Sequence, residues 1–273
     1  MLLNTVRAEW VKLRTTRSLY WTTALIVLFT LGWALLMGYA NGSTFQQAVD
    51  DRDTSLLTAL GDPSELFTVS TALQGLQLFG TMIVIVQAVI TVTGEYGNGT
   101  AKLSALAAPG RWQLPVAKTV VYGAVTAVVF LVVGVASVFL TAMTANMQLD
   151  DKSLTDGLSL GADGAWRAVG LTVLSSVLVV MVSVGVGYLL RRTAGAVALL
   201  MLWVLLLEDL IGAIPKIGEH VTSYLPFRNL NAALSGTPIP DAPWGTTGSL
   251  IYFIVIVVVV FGAGIAVLRR RDV

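Results

Sequence analysis

Six long apolar runs, separated by short polar segments, divide the amino-acid sequence. They occupy residues 19–39, 67–93, 114–145, 168–190, 194–213 and 249–268. A helix needs about 20 mostly apolar residues to cross the hydrocarbon of a bilayer, and the fifth run reaches this length only by continuing past Glu208 and Asp209. The pattern predicts an all-α integral membrane protein with six transmembrane helices, which form a single domain over residues 1–273.

The composition also indicates lipid as the solvent of this chain. Only 12% of its residues are charged and 55% are apolar, whereas a soluble domain carries about 25% charged residues. There is no cysteine and a single histidine, His220, so the sequence predicts neither a disulfide nor a metal site. The net charge of +1 gives no indication of a nucleic-acid partner, and we expect none.

The distribution of Lys and Arg predicts the orientation of the six helices, because basic residues collect in the cytoplasmic segments of membrane proteins. With both termini in the cytoplasm, the inner segments hold Arg7, Lys12, Arg14, Arg17, Lys102, Arg111, Lys118, Arg191, Arg192, Arg269, Arg270 and Arg271. The outer segments hold only Arg52, Lys152, Arg167, Lys216 and Arg228. We therefore expect a multi-pass protein of the cell inner (plasma) membrane with cytoplasmic N- and C-termini.

Residues 1–18 precede the first apolar run and have the pattern of an amphipathic helix. Leu3, Val6, Trp10 and Leu13 recur at spacings of three and four, while the basic residues fall mostly on other faces. This pattern predicts an interfacial helix that lies in the headgroup layer, in contact with membrane lipid. The alternative is a flanking stretch whose charges only set the orientation of the chain.

The polar segment between the second and third runs, GEYGNGTAKLSALAAPGR, is predicted to contain a short helix. Three glycines are expected to end the incoming helix, a threonine to cap the new one, and a Pro–Gly pair to stop it. These residues are Gly94, Gly97, Gly99, Thr100, Pro109 and Gly110. A helix of about two turns is marginal alone, so it needs a membrane or a protein surface on which to pack Leu103 and Leu106. Glu95, at the mouth of the second span, is expected to pair with Arg111 or with a basic residue of a partner.

Two stretches carry a family resemblance: EWVKLRTTRS near the start, and GEYGNGTAKLSALAAPGRWQLPVAK after the second run. They resemble the permease subunit of an ATP-binding-cassette transporter of the type-2 exporter class. In that family, a Glu-Tyr…Gly-Thr segment followed by a Pro and a basic residue is the cytoplasmic coupling helix, which docks into a groove on the ATPase subunit. The resemblance implies this role for residues 95–111. The matching positions are Glu95, Tyr96, Gly99, Thr100, Leu106, Pro109 and Arg111, joined by Leu103 on the same short helix. Gly97 departs from the family, whose members often have a basic residue there.

The resemblance implies a permease that moves a lipophilic or amphipathic cargo (a drug, peptide or lipid) outward. No G-x-x-x-x-G-K-[ST] motif occurs in the sequence, so we expect no cofactor in this chain, with ATP and Mg on a separate ATPase subunit. Six spans make half of the usual pore, and a second copy or a homologous permease is expected to complete it. Because the sequence has no HExxH motif, we do not expect an enzyme. The alternative function is an ion-coupled secondary transporter or a channel.

A stripe of polar side chains follows one face of the second predicted span. It contains Gln77, Thr81, Gln87 and Thr91, which fall on the same side of a helix of 3.6 residues per turn. Buried amides need hydrogen-bond partners, so this face is expected to contact protein or a water-lined path rather than lipid. It therefore lines a translocation pathway or packs against another helix. Gly262 and Ala266 on the last span likewise predict a small-residue helix contact.

Residues 211–248 hold five of the eight prolines but are too apolar for a plain loop. They predict an outer segment of short broken helices that dips back toward the bilayer. In the resembling family this region caps the exit and forms part of the dimer contact, which implies an outer gate at Leu225, Pro226 and Phe227. Glu208 and Asp209 are expected to mark the outer boundary of the fifth span, partnered by Lys216 or water. The alternative is an acid that functions at membrane depth.

Overall fold

The computed structural model describes residues 2–108, 110–215 and 217–270, and 84% of the chain is helical. Within these ranges there is no β-strand. Six helices are long and apolar enough to cross a membrane, which confirms the predicted number. Spans 1 to 6 are Arg17–Asp50, Val69–Gly97, Gln113–Asn146, Ala165–Leu190, Thr193–Gly212 and Thr246–Arg270.

Shorter helices lie before and between the spans. The N-terminal helix is Leu2–Thr15 and the connecting helix, between spans 2 and 3, is Ala101–Ala107. The remaining short elements are the helices Thr54–Leu60, Pro63–Leu66, Ile217–Val221 and Pro226–Ser235 and the 3₁₀ turns Lys152–Leu158 and Thr222–Tyr224. The broken helices predicted within 211–248 are therefore present, while their return toward the bilayer stays a prediction.

Span 1 is much longer than its apolar run. The run ends at Tyr39, but the helix continues to Asp50 and reaches 34 residues, as does span 3. At 1.5 Å per residue these helices are about 50 Å long, against a hydrocarbon thickness of about 30 Å. They must tilt or project beyond it. Apolar runs mark the part of a helix that lipid solvates and give no information about where its backbone hydrogen bonds stop.

The helices form two compact units, and the first contains the described residues up to Thr22, Met82–Ala127 and those from Leu174 onward. Inside this unit, spans 4 and 6 meet at two glycines, because a Cβ added to Gly264 would lie 2.7 Å from the carbonyl oxygen of Gly185. The predicted contact through Gly262 and Ala266 is wrong within this chain, since both are exposed. Those two residues lie on a different face of span 6 from Gly264.

The second unit comprises Thr23–Thr81 and Val128–Val173. Aromatic rings pack together in this unit: the ring of Phe79 stacks on Phe29 at 5.8 Å and lies edge-on to Trp33 at 5.5 Å. Gly38 lies directly against the backbone of Thr141, so a side chain there would push spans 1 and 3 apart. Small residues therefore set the helix separation in this unit, as is usual where apolar burial gives helices little reason to associate in lipid.

Candidate functional site

Four charged side chains from three helices converge beside the connecting helix and form what we call the charge cluster. Glu9 and Lys12 come from the N-terminal helix, Glu95 from the end of span 2 and Lys118 from the start of span 3. The Lys118 ammonium lies 2.8 Å from Glu9 Oε2 and 2.9 Å from Glu95 Oε1. Lys12 lies 2.9 Å from Glu9 Oε1 and 2.8 Å from Glu95 Oε1. Each amine thus bridges both carboxylates, and the four formal charges cancel.

The cluster is buried on one side and open on the other. The Lys118 side chain is only 3% exposed, and both carboxylates are largely covered, whereas Lys12 is half-exposed. A buried charge is costly unless it is paired and hydrogen-bonded. Lys118 therefore depends on both Glu9 and Glu95, and this dependence fixes the N-terminal helix against the ends of spans 2 and 3.

Lys12 extends the cluster to the connecting helix. Its ammonium donates a hydrogen bond to Ser104 Oγ at 3.2 Å, as well as to the two carboxylates. Burial lowers the pKa of Lys12, but hydrogen bonds to Glu95 and Glu9, together with their charges, outweigh this effect and leave the pKa above its ordinary value. Lys12 therefore stays protonated at neutral pH and links the N-terminal helix to the connecting helix.

The connecting helix presents an apolar surface away from this cluster. Leu103 and Leu106 are 68% and 71% exposed, whereas Ala101 and Ala108 are buried. A groove of about 540 Å³ lies between the connecting helix and the N-terminal helix, with Leu103 and Ser104 on one wall. Two leucines this exposed on a seven-residue helix are the kind of surface that a further molecule covers.

A short helix, Ala101–Ala107, lies within the predicted segment, but three details of its surroundings are wrong. Gly94 does not break the incoming helix, which runs on to Gly97, and the turn comes at Gly99 with φ +68°. Thr100 occupies the N-cap position, but its side chain makes no capping hydrogen bond and instead approaches the Glu95 carbonyl at 3.4 Å. Glu95 pairs with Lys12 and Lys118 rather than with Arg111, because its carboxylate turns toward the protein interior.

The other predicted coupling residues are distributed around the same segment. The ring of Tyr96 lies edge-on to Tyr188 at 6.4 Å, with the guanidinium of Arg191 5.1 Å from its centre. Arg111 is partly buried and has a positive φ of 50°. Pro109 lies outside the described residues. Of the predicted set, only Leu103, Leu106, Gly99 and Thr100 are exposed enough to meet a partner directly.

The predicted polar stripe of span 2 faces protein, as expected. Gln77 donates to Thr172 Oγ1 and Gln87 donates to Ser18 Oγ, each at 3.2 Å, while Thr91 donates to the carbonyl of Ala88. Thr81 and Gln87 are buried. The apolar neighbours Ile85, Val89 and Val92 are buried as well, so this part of span 2 is covered around most of its circumference. Helix packing accounts for these contacts, and a role in a pathway stays a prediction.

The predicted outer gate forms the start of the helix Pro226–Ser235. Leu225 and Phe227 are buried within the chain, and the ring of Phe227 lies 5.4 Å from that of Phe253. Pro226 occupies the first turn of this helix, where its missing N–H is tolerated. Leu225 and Phe227 are thus covered by their own chain, and their role in an outer gate or a dimer contact stays a prediction.

Glu208 lies near the end of span 5 and accepts hydrogen bonds from a neighbouring helix. Its carboxylate is buried and accepts hydrogen bonds from the backbone N–H groups of Phe227 and Arg228 at 2.8 and 2.7 Å, and from Trp203 Nε1 at 2.8 Å. Lys216 lies outside the described residues, and the role of Glu208 as a marker of the outer boundary stays a prediction. Glu208 caps the N-terminus of the helix Pro226–Ser235, where a negative charge is favourable. The exposed Asp209 pairs with Arg228 at 3.2 Å.

Three members of the charge cluster, Glu9, Lys12 and Lys118, are not among the site residues predicted from the sequence. Two of them stand out from their surroundings in the sequence. Glu9 is the only acidic residue before Asp50, and Lys118 falls inside an apolar run. An ionisable residue in a membrane span usually has a partner and a function. Matching Lys118 to Glu9, however, requires a contact across 109 positions of sequence, and no local pattern supplies it.

Comparison with known families gives one match. A family model described as "Protein of unknown function (DUF2705)" matches residues 25–273, which includes every span except the first turns of span 1. Among curated proteins, none matches the chain.

Proposed function

The chain belongs to the DUF2705 family, whose description assigns no function, and we propose that it is the membrane permease subunit of an ATP-driven exporter. A separate ATPase subunit docks on the connecting helix and supplies the work. The observation that carries this proposal is the connecting helix itself: it has two exposed leucines, and Lys12 of the charge cluster contacts it through Ser104.

The connecting helix is suited to receive a partner because it cannot stand alone. A helix of seven residues is unstable in water, so its position depends on what anchors it. It is joined to span 2 through Gly99 and to span 3 through residues 108–112, and Lys12 holds Ser104 from the side. The connecting helix is fixed at these three points and exposed at Leu103 and Leu106, so it suits a rigid docking surface for the partner, which we call the handle. Lys102, beside the two leucines, can pair with an acidic residue at the edge of the partner's groove.

A displacement of this handle has a physical route into the spans. Movement of the connecting helix pulls on Lys12 through Ser104, and Lys12 shares both carboxylates with Lys118 of span 3. Separating the two members of a buried ion pair costs free energy, so a displacement of one member moves the other with it. The charge cluster therefore couples the connecting helix to spans 2 and 3 as a lever.

The distribution of charge supports an inner location for this handle. The segments at the two termini, the connecting helix and the turn after span 4 hold most of the basic residues, which favours their placement in the cytoplasm of a cell inner (plasma) membrane. Nucleotide is available on that side. Because the sequence has no phosphate-binding loop, ATP and Mg bind to the partner, and a second permease copy or a homologue completes the pore.

The cargo that best suits the described residues is lipophilic or amphipathic. The walls of the spans are apolar with scattered amides and hydroxyls, and a polar cavity of about 360 Å³ beside the charge cluster is lined in part by Gln87 and Thr91. Such a cavity accommodates the polar end of an amphipathic molecule whose apolar part remains in lipid. In this proposal Gln87 and Thr91 lie at the entry of the pathway.

Disruption of the exposed leucines tests the proposal. We expect the double variant Leu103→Asp/Leu106→Asp to lose association with its co-expressed ATPase subunit, measured by co-purification and by ATP-dependent cargo uptake into inverted vesicles. Met147, also 68% exposed, provides the matched control, and Met147→Asp should leave both readouts intact. Uptake that follows an ion gradient and ignores ATP would instead support a secondary transporter or channel.

A further inference from the structure

The N-terminal helix has two faces of different character. Glu9 and Leu13 are buried and point toward the protein. The opposite face carries Arg7 and Arg14, seven residues apart and therefore aligned along the helix. Leu3, Trp10 and Val11 are exposed beside them, with Trp10 at 43%. The exposed face thus alternates apolar and basic side chains, and we call it the basic-aromatic face.

The arginines of this face are not engaged elsewhere in the protein. Among the described residues, the guanidinium groups of Arg7, Arg14 and Arg17 make no ion pair and no side-chain hydrogen bond. The only acid of the N-terminal helix, Glu9, is turned away and neutralised by Lys118 and Lys12. The basic-aromatic face therefore carries an uncompensated positive charge, in contrast to the balanced charge cluster behind it.

Chain connectivity places this face at the end of a membrane span. Thr16 alone separates the N-terminal helix from span 1, which begins at Arg17. Tyr20 of span 1 reaches back and donates a hydrogen bond from its hydroxyl to the Arg14 carbonyl at 3.0 Å. Tyr20 and Trp21 are both strongly exposed, and such aromatic residues are enriched at the headgroup level of membrane helices.

We propose that the basic-aromatic face is a binding site for lipids whose headgroup carries a net negative charge. The guanidinium groups of Arg7, Arg14 and Arg17 bind phosphodiester oxygens through paired hydrogen bonds, and Leu3, Trp10 and Val11 enter the boundary between headgroups and acyl chains. Lipid fits this surface better than an acidic protein because the N-terminal helix ends one residue before a membrane span and its basic residues are interleaved with apolar side chains. The inference does not depend on the proposed transport function.

Native mass spectrometry of the full chain in detergent tests the proposal. Phosphatidylglycerol and phosphatidylcholine with identical acyl chains are titrated separately, and the bound fraction of each is measured. We expect the wild-type protein to retain phosphatidylglycerol preferentially and Arg7→Gln/Arg14→Gln to bind it roughly 25-fold more weakly, since each arginine near an anionic surface contributes about a factor of five. Arg52→Gln/Arg167→Gln removes two exposed arginines from elsewhere in the chain and should keep the preference.

Three results would overturn the proposal: no preference in the wild-type protein, an unchanged preference in Arg7→Gln/Arg14→Gln, or an equal loss in Arg52→Gln/Arg167→Gln. The first of these, combined with capture of an acidic protein that requires Arg7 and Arg14, would assign the face to a protein partner.

A second measurement uses the milder change Trp10→Phe, which keeps an aromatic ring. The difference in tryptophan fluorescence between the wild type and Trp10→Phe, both in vesicles, is the emission of Trp10. We expect brominated phosphatidylglycerol to quench that component more strongly than brominated phosphatidylcholine at the same mole fraction. Equal quenching by the two lipids would contradict the proposal even if the arginine variant fails to fold.

Discussion

Replacement of Lys118 by Met tests whether the charge cluster stabilises the protein. Met keeps the length and apolar stem of the side chain and removes the ammonium that lies 2.8 Å from Glu9 and 2.9 Å from Glu95. The two carboxylates then share Lys12 alone, which is half-exposed and hydrated. Removal of one partner from a buried ion pair costs about 3–5 kcal/mol, mainly because the remaining charge is left buried without compensation.

This cost converts into a large change in melting temperature. For a chain of this size, each kcal/mol shifts the Tm by about 2–4 °C, so Lys118→Met should melt roughly 6–20 °C below the wild type. Tryptophan fluorescence of the purified protein, heated in a single detergent at fixed concentration, measures this shift. Lys152→Met removes an exposed lysine from a 3₁₀ turn and should change the Tm by no more than a degree or two.

A double variant separates the charge effect from a loss of packing. Glu95→Gln in the Lys118→Met background removes one charge of each sign and leaves Glu9 paired with Lys12, so it should recover part of the lost stability. If Lys118 acts only through its apolar stem, Lys118→Met alone will melt close to the wild type. If packing is the cause of a loss, adding Glu95→Gln will lower the Tm further. Either outcome refutes the electrostatic account of the cluster.

Two further changes probe the helix contacts that hold the rest of the first unit. Gly264→Leu should sharply reduce the yield of monodisperse protein on size-exclusion chromatography, because its Cβ would lie 2.7 Å from a carbonyl oxygen of the facing span. The control Gly262→Leu projects into open space and should purify like the wild type. Glu208→Ala should speed amide hydrogen exchange in the helix Pro226–Ser235, since two backbone N–H groups lose their acceptor, whereas Asp209→Ala should leave exchange there near the wild-type rate. Equal behaviour within either pair would contradict the corresponding contact.

The number and approximate positions of the spans follow from the sequence because the bilayer imposes a simple length requirement. Apolar runs of about 20 residues have few alternatives in lipid, where every backbone group must be bonded within a helix. The short connecting helix also follows from local chemistry: Gly99 provides the positive φ at its start, and a run of good helix formers comes after it. Local patterns do not determine at which glycine span 2 ends. The helix continues past Gly94 to Gly97, which depends on whether the longer helix is more stable than one that ends at Gly94.

The partners of the charged residues could not be predicted in the same way. Glu95 has Arg111 as a nearby basic candidate, but its carboxylate bonds to Lys12 and Lys118, at separations of 83 and 23 residues. Glu208 similarly accepts hydrogen bonds from the backbone of residues 227 and 228, and no local pattern indicates these partners. In both cases burial determines the hydrogen-bond partners, because a carboxylate excluded from water accepts hydrogen bonds from the fixed donors within reach. Tertiary packing, rather than local sequence, positions those donors.

The charge cluster and the basic-aromatic face give the two sides of one short helix opposite electrostatic roles. On the face that packs against the protein, Glu9 neutralises Lys118, so the helix can pack against spans 2 and 3 without leaving an uncompensated buried charge. On the exposed face, Arg7 and Arg14 have no acidic partner. If Glu9 were on the exposed face instead, it would cancel part of the positive charge there and leave Lys118 paired with Glu95 alone. The single acid of the N-terminal helix therefore serves both surfaces from one position, which explains why a segment this basic contains an acidic residue at all.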